Sequence, residues 1–137
     1  VEILKQSAHN SLGQPSMPLA MAGAVSEMTG SLWPLFSAFV GGAGSFITGS
    51  CTVSNLLLAE FQWGLATSLD FKPDIIVSSQ VVGAAMGNMV CVHNIVAVSA
   101  VVGLSGKEGV ILKTNFPIFV LYGCLAAGMT LVLLMIT

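Results

Sequence analysis

The sequence contains no arginine, and only 7% of its 137 residues carry a charge. Four lysines stand against six acidic side chains, for a net charge of -2, and without a basic patch to meet a phosphate backbone the composition gives no support to nucleic-acid binding. Cysteine is scarce as well. Cys51, Cys91 and Cys124 are odd in number, far apart and set in apolar sequence, so they make neither a disulfide framework nor a zinc site and read as small core residues. No cofactor motif is expected: Gly103 to Gly109, GLSGKEG, lacks the four-residue spacer of a phosphate-binding loop and the Ser or Thr after Lys107. The chain opens on Val1 without an initiator methionine or a signal-peptide pattern, and is expected to be the tail of a longer polypeptide.

What the sequence has instead is apolar length. Hydrophobic residues make up 55% of it and the mean hydropathy is +0.92, which places the chain among membrane proteins. Uncharged runs extend from Met28 to Ala59 (32 residues), Ile75 to Gly106 (32) and Thr114 to Thr137 (24). Each exceeds the ~20 residues that cross a ~30 Å hydrocarbon core, so the expected fold is all-α and polytopic.

Within the first run, Gly41 to Asn55 reads GGAGSFITGSCTVSN, small and hydroxyl-bearing where a plain span would carry Leu and Ile. Bare backbone amides in hydrocarbon cost several kcal/mol each, so such an interruption survives only inside protein or beside a water-filled cavity. A binding site for a small polar solute is the natural occupant. Taken in order, Val1 to Asn10 reads as a helix end stopped by Gly13 and Pro15, and Ser16 as the cap of a short helix from Met17 to Thr29 closed by Gly30, so residues 1–30 form one portion. Residues 31–69 divide into a leg from Leu32 to Ile47, a polar tip from Thr48 to Asn55 and a leg from Leu56 to Leu69. The legs reach ~24 Å and ~21 Å, each short of a crossing, which predicts a re-entrant hairpin; one kinked span with packing glycines is the competing arrangement. Residues 75–104 would make a rod of ~45 Å if unbroken, so a broken transmembrane helix is predicted, with a break from Gly87 to Asn94. Residues 116–136 read as a plain last transmembrane helix with Pro117 in its first turn. The lysines of the 105–115 loop place that loop on the cytoplasmic side.

The strings GSFITGSCTVSN and VVGAAMGNMVCVHNIVAVSAVVGLSGKEGVILK, together with Asn10-Ser11-Leu12-Gly13-Gln14 and Trp33-Pro34-Leu35, resemble the carboxy-terminal part of the lactate permease family. The resemblance implies a multi-pass plasma-membrane protein of the bacterial inner membrane, not an enzyme. It would carry L-lactate, D-lactate or glycolate with a coupling proton, and sodium is the other possible ion. It also implies two inverted repeats, this chain holding one and an amino-terminal repeat the other, each with a re-entrant hairpin and a broken helix in the lipid bilayer. On that basis Thr48, Gly49, Ser50, Thr52, Ser54 and Asn55 at the tip, and Gly87, Asn88, His93 and Asn94 at the break, are the candidate substrate- and ion-binding residues.

Without arginine, a guanidinium clamp from these residues is excluded. The carboxylate must be held by amides, hydroxyls and helix amino ends, here those starting at Leu56 or Ile95, or by the rest of the polypeptide. The hydroxyls also serve a purely structural reading, in which they satisfy freed backbone groups, and Asn88 and Asn94 could simply cap the half-helices. His93 and Glu60 are the candidate proton carriers; His93 reads equally as a hydrogen-bonded core histidine, and Glu60 as a vestibule or interface charge where the family pattern carries a neutral residue. Competing functions are a re-entrant-loop channel, a sodium-coupled anion transporter, and a membrane hydrolase using Ser50 and His93, the last lacking a nucleophile elbow and a third orienting acid.

Overall fold

The computed structural model describes residues 17–136, so the predicted helix end at Val1 to Asn10 and the cap at Ser16 lie outside the described residues. Every element within them is helical: α1 (Met17–Thr29), a 3-10 turn (Gly30–Leu32), α2 (Trp33–Thr48), α3 (Cys51–Ser68), α4 (Pro73–Gly87), α5 (Val92–Val101) and α6 (Glu108–Ile136). Three stretches are long and apolar enough to cross a membrane, Ala20–Thr48, Pro73–Val101 and Glu108–Ile136. The chain is an all-α polytopic membrane protein. The first stretch is not one rod, because Gly30 at φ +49° ends α1, which packs against α3 around Ala22, Phe61, Leu65 and Ala66.

Proline and glycine set the helix ends. Pro34 and Pro73 lie in the first turns of α2 and α4, where a missing amide hydrogen leaves no bond unmade. Gly49, at φ +74°, closes α2 in the left-handed conformation while its amide donates to Ser45 O at 2.9 Å. The chain then reverses. Trp33 bonds Gln62 and Ser54 bonds Gly41, pairs nearly symmetric about the Gly49-Ser50 turn, so α2 and α3 form an antiparallel hairpin.

Against this hairpin α4 runs parallel to α2 and close enough for backbones to touch. Gly83 lies on the Ala38 carbonyl, Gly87 on Gly42, and Gly41 on the Gln80 carbonyl, and a Cβ at any of the three would strike main chain. Small residues one turn apart are what permit that approach in lipid, where apolar burial gives no drive toward helix association. α4 stops at Gly87, level with Gly42, whereas α2 runs six residues further to Thr48, so that its end lies beside the start of α5.

The last helix differs from its prediction. It begins at Glu108 instead of Phe116 and carries Pro117 inside it, so Lys113 belongs to a helix and not to a loop. The ring leaves the Lys113 carbonyl without its helical donor, and neighbouring turns hold the rod over 29 residues. One face packs on α2, where Gly123 receives the Phe39 ring and Phe39 meets Phe119 edge to face at 6.1 Å. Leu121, Leu125, Met129, Leu133 and Met135 are exposed on α6, an apolar surface suited to lipid.

Candidate functional site

The hairpin tip is shorter than the sequence suggested. Only Gly49 and Ser50 separate the helices; α3 starts at Cys51, so Thr52, Ser54 and Asn55 are helical instead of lying in a loop through to Leu56. Ser50 explains why. Its backbone is extended at the cap position and its Oγ accepts from Val53 N at 3.3 Å, which lets the helix resume at once. Thr48 Oγ1 donates within reach of Gly44 O (2.8 Å) and Ser50 O (3.0 Å) and accepts from Ser50 N (3.3 Å), bracing the turn. Replacing Ser50 with alanine should lower stability by ~1 kcal/mol; thermal unfolding in detergent at matched protein concentration reads the shift.

The break is also tighter than predicted. Met89, Val90 and Cys91 amides bond back three residues, to Met86, Gly87 and Asn88, before α5 restarts with Ile95 N on Cys91 O at 3.0 Å. Three short-range bonds replace the helical ladder across residues 88–91, and His93 and Asn94 fall in the first turn of α5, which ends at Val101 rather than Leu104. Neither Asn88 nor Asn94 caps α5, whose cap residue Cys91 makes no side-chain cap bond. Its first amides therefore have no intrahelical partner.

These two interruptions meet. A Cβ placed on Gly49 would sit 3.6 Å from Cys91 Sγ and 3.6 Å from His93 Cβ and Nδ1. Ser45 Oγ, in the last turn of α2, donates to Asn88 Oδ1 at 2.8 Å, and Asn94 Nδ2 reaches the same oxygen at 3.4 Å. Two helices, α3 and α5, thus begin beside one another, each presenting the partial positive charge of its amino end. His93 is exposed there, with its Nδ1 3.7 Å from Cys91 Sγ. Thr52 is exposed and Gly87 buried against Gly42. Glu60 is not brought to this place: half-buried, it lies ten residues beyond Ser50, ~15 Å along α3 by helical rise.

Sequence reasoning passed over the residues that fix the tip from behind. Trp33 Nε1 donates to Gln62 Oε1 (2.8 Å), and Gln62 Nε2 donates to Ser37 O (3.1 Å) and Gln80 Oε1 (3.0 Å). Gln80 Nε2 in turn reaches Ser54 Oγ and Asn55 Oδ1, both at 3.4 Å, while Ser54 Oγ donates to Gly41 O at 2.9 Å. Ser37 and Ser79 hydroxyls join α2 to α4 at 2.8 Å. Both glutamines are fully buried. The available signal was their position: an amide deep in an apolar helix requires a partner, and two of them on packed helices find each other. Asn115 of α6 was missed too; its Nδ2 donates to Met89 O at 2.9 Å, tying the break to the last helix.

Comparison with known proteins sets this geometry in context. The profile of the L-lactate permease family matches residues 4–137. A Haemophilus influenzae protein whose name assigns it provisionally to the L-lactate permeases is 43% identical over 115 residues, which cover 84% of this chain and 22% of the relative. The L-lactate permease of Bacillus subtilis is 40% identical over 81 residues (59% of this chain, 14% of the relative), and the glycolate permease of Escherichia coli 31% over 98 residues (72% and 17%). The chain spans about a fifth of the length of the curated relatives it matches. No solved structure matches it. With a profile match that leaves only its first three residues outside, the chain belongs to the L-lactate permease family.

Proposed function

We propose that this chain is part of a secondary carrier that moves a small 2-hydroxy monocarboxylate, lactate or glycolate, with a proton across the bacterial inner membrane, and performs no catalysis. The meeting of the Gly49-Ser50 turn with the Cys91–His93 turn carries the reading. A hairpin that reverses at the level where its neighbour breaks enters the membrane partway and returns, and α4 with α5 forms the full crossing. At that depth the amino ends of α3 and α5 supply amide hydrogens for a carboxylate, without the desolvation cost of a buried cation. Ser50 and Asn94 add polar groups at the same place, and His93 stands where a proton would be exchanged. An amino-terminal repeat of the same polypeptide supplies the other half of the site, and rigid-body movement of one part against the other gives alternating access.

The names of the relatives fit this chemistry, since lactate and glycolate share the carboxylate and the 2-hydroxyl and differ by one methyl group. Uptake of radiolabelled lactate by the full-length protein in proteoliposomes tests it. Asn88→Ala removes the oxygen that Ser45 and Asn94 share and, with it, the Nδ2 donor available to a carboxylate, and should raise KM about tenfold, roughly one hydrogen bond to a charged group. Undiminished uptake in both Asn88→Ala and Asn94→Ala overturns the site. Uptake that follows an imposed sodium gradient and ignores a pH gradient overturns the proton.

A further inference from the structure

On the side of the break that faces α6, a cavity of about 280 Å3 opens between the break, α5 and the first turns of α6. One side chain lining it stands apart from the other buried hydroxyls of the fold. Several hydroxyls donate to a carbonyl one turn back, as Thr48 does to Gly44, Ser78 to Asp74, Thr114 to Val110 and Thr130 to Ala126, and the buried Ser45 and Ser54 donate across the fold to Asn88 and Gly41. Ser99 does neither. It is fully buried, and its Oγ has no partner among the described residues. A hydroxyl withdrawn from water and left unbonded is a standing cost unless something entering the cavity bonds it.

The three asparagines of the lining can be accounted for atom by atom. Asn115 spends its Nδ2 on Met89 O at 2.9 Å, leaving Oδ1 as an acceptor. Asn88 Oδ1 takes Ser45 Oγ and Asn94 Nδ2, which leaves Asn88 Nδ2 as a donor and Asn94 Oδ1 as an acceptor. With Ser99 the lining offers two donors, two acceptors and aliphatic walls that include Val98 and Ile111. Among the described residues, no cationic side chain lines it.

We infer that this cavity seats a small 2-hydroxy monocarboxylate, with Ser99 and Asn115 as binding residues that neither the hairpin nor the predicted break supplies. The carboxylate takes Asn88 Nδ2 and the Ser99 hydroxyl, the substrate hydroxyl donates to Asn115 or Asn94, and a methyl group rests on the aliphatic wall. The inference rests on the transport reading and gives the path a second seat, about two turns along α5 from its amino end and bounded by α6.

Its test is uptake of radiolabelled lactate by the full-length protein and two variants in proteoliposomes, beside thermal unfolding of each. Ser99→Ala deletes an unsatisfied hydroxyl, so it should leave stability equal or higher while raising KM about tenfold, with maximal rate retained. A residue with a structural role alone moves stability and leaves KM in place. Ile111→Phe fills the cavity without touching a polar group and should abolish uptake by protein that still reaches the membrane. An unchanged KM in Ser99→Ala, or wild-type uptake in Ile111→Phe, overturns the inference, and the second variant decides alone if the first does not accumulate. Absence of lactate uptake by the unmodified protein refutes the transport reading itself, an outcome distinct from either.

Discussion

Replacing Gly83 with valine is expected to remove the folded protein from the membrane. At Gly83 a Cβ would lie 2.6 Å from the Ala38 carbonyl carbon and 2.8 Å from its Cα, with the carbonyl oxygen closer still. Those atoms are main chain in the middle of α2, and Gly83 is main chain in the middle of α4, so neither side can yield as a flexible side chain would. Relief requires the helices to move apart. Separation breaks the Ser37–Ser79 bond at 2.8 Å and the Gln62–Gln80 bond at 3.0 Å, and lifts Gly87 off Gly42. Overpacking alone costs ~1–3 kcal/mol, and with the polar bonds the sum approaches the ~5–15 kcal/mol that separates folded from unfolded domains. Gly128 is the control, since no atom of the described residues lies within 4 Å of a Cβ there. Yield of monodisperse protein after detergent extraction should collapse for Gly83→Val and hold for Gly128→Ala. Equal yields and equal unfolding temperatures for the two would show that α2 and α4 are not in backbone contact.

Gly83 and Gly87 could be read from sequence as a small-residue pair, yet not which helix they face, because spacing fixes a stripe on one helix and says nothing of its partner. Legibility followed the same division throughout. Turns written in Gly were readable: Gly30 closes a helix as expected, and Gly49 lies within the predicted tip, because their φ preferences are local properties. The excess length of residues 75–104 likewise announced a break, since bilayer thickness and helical rise are fixed by physics. Misread were the polar stretches. Thr48 to Asn55 looked like a loop because hydroxyl and amide side chains compete with helix formation, but Ser54 and Asn55 are occupied by Gly41 and Gln80 across the fold, which frees their backbone to stay helical. Pro117 looked like a helix start, because a proline inside a span needs compensation that only neighbouring helices can provide. Ser99 showed nothing at all in sequence; its interest is a missing partner, visible only once the cavity is.

Replacing Gln62 with leucine is the other substitution with a large expected effect, and the hydrogen-bond directions explain it. The indole of Trp33 can only donate and the Ser37 carbonyl can only accept, so the Gln62 amide has one allowed orientation, Oε1 to the indole and Nε2 to the carbonyl. Its second hydrogen then goes to Gln80 Oε1, which turns Gln80 Nε2 toward Ser54 and Asn55. The far end agrees independently: Ser54 gives its hydrogen to Gly41 O, so it must accept from Gln80. Every amide hydrogen of the two glutamines is used, in a chain whose sense is set at both ends. Leucine at 62 fills a similar volume but strands the Trp33 N–H and Gln80 Oε1 and removes the second bond to the Ser37 carbonyl, which α2 already uses. In membrane proteins such bonds average ~0.6 kcal/mol each and reach ~1.7, so three lost bonds should cost about 2–5 kcal/mol. Thr67→Ala, which removes one local bond at an exposed site, should cost far less. The decisive measurement is a double-mutant cycle with Gln80→Leu by thermal or denaturant unfolding. Because the first substitution already deprives Gln80 of its donor, the second should add less than it costs alone. Strict additivity would mean that the two amides act independently, and that nothing transmits orientation from Trp33 at the base of the hairpin to Asn55 near its tip.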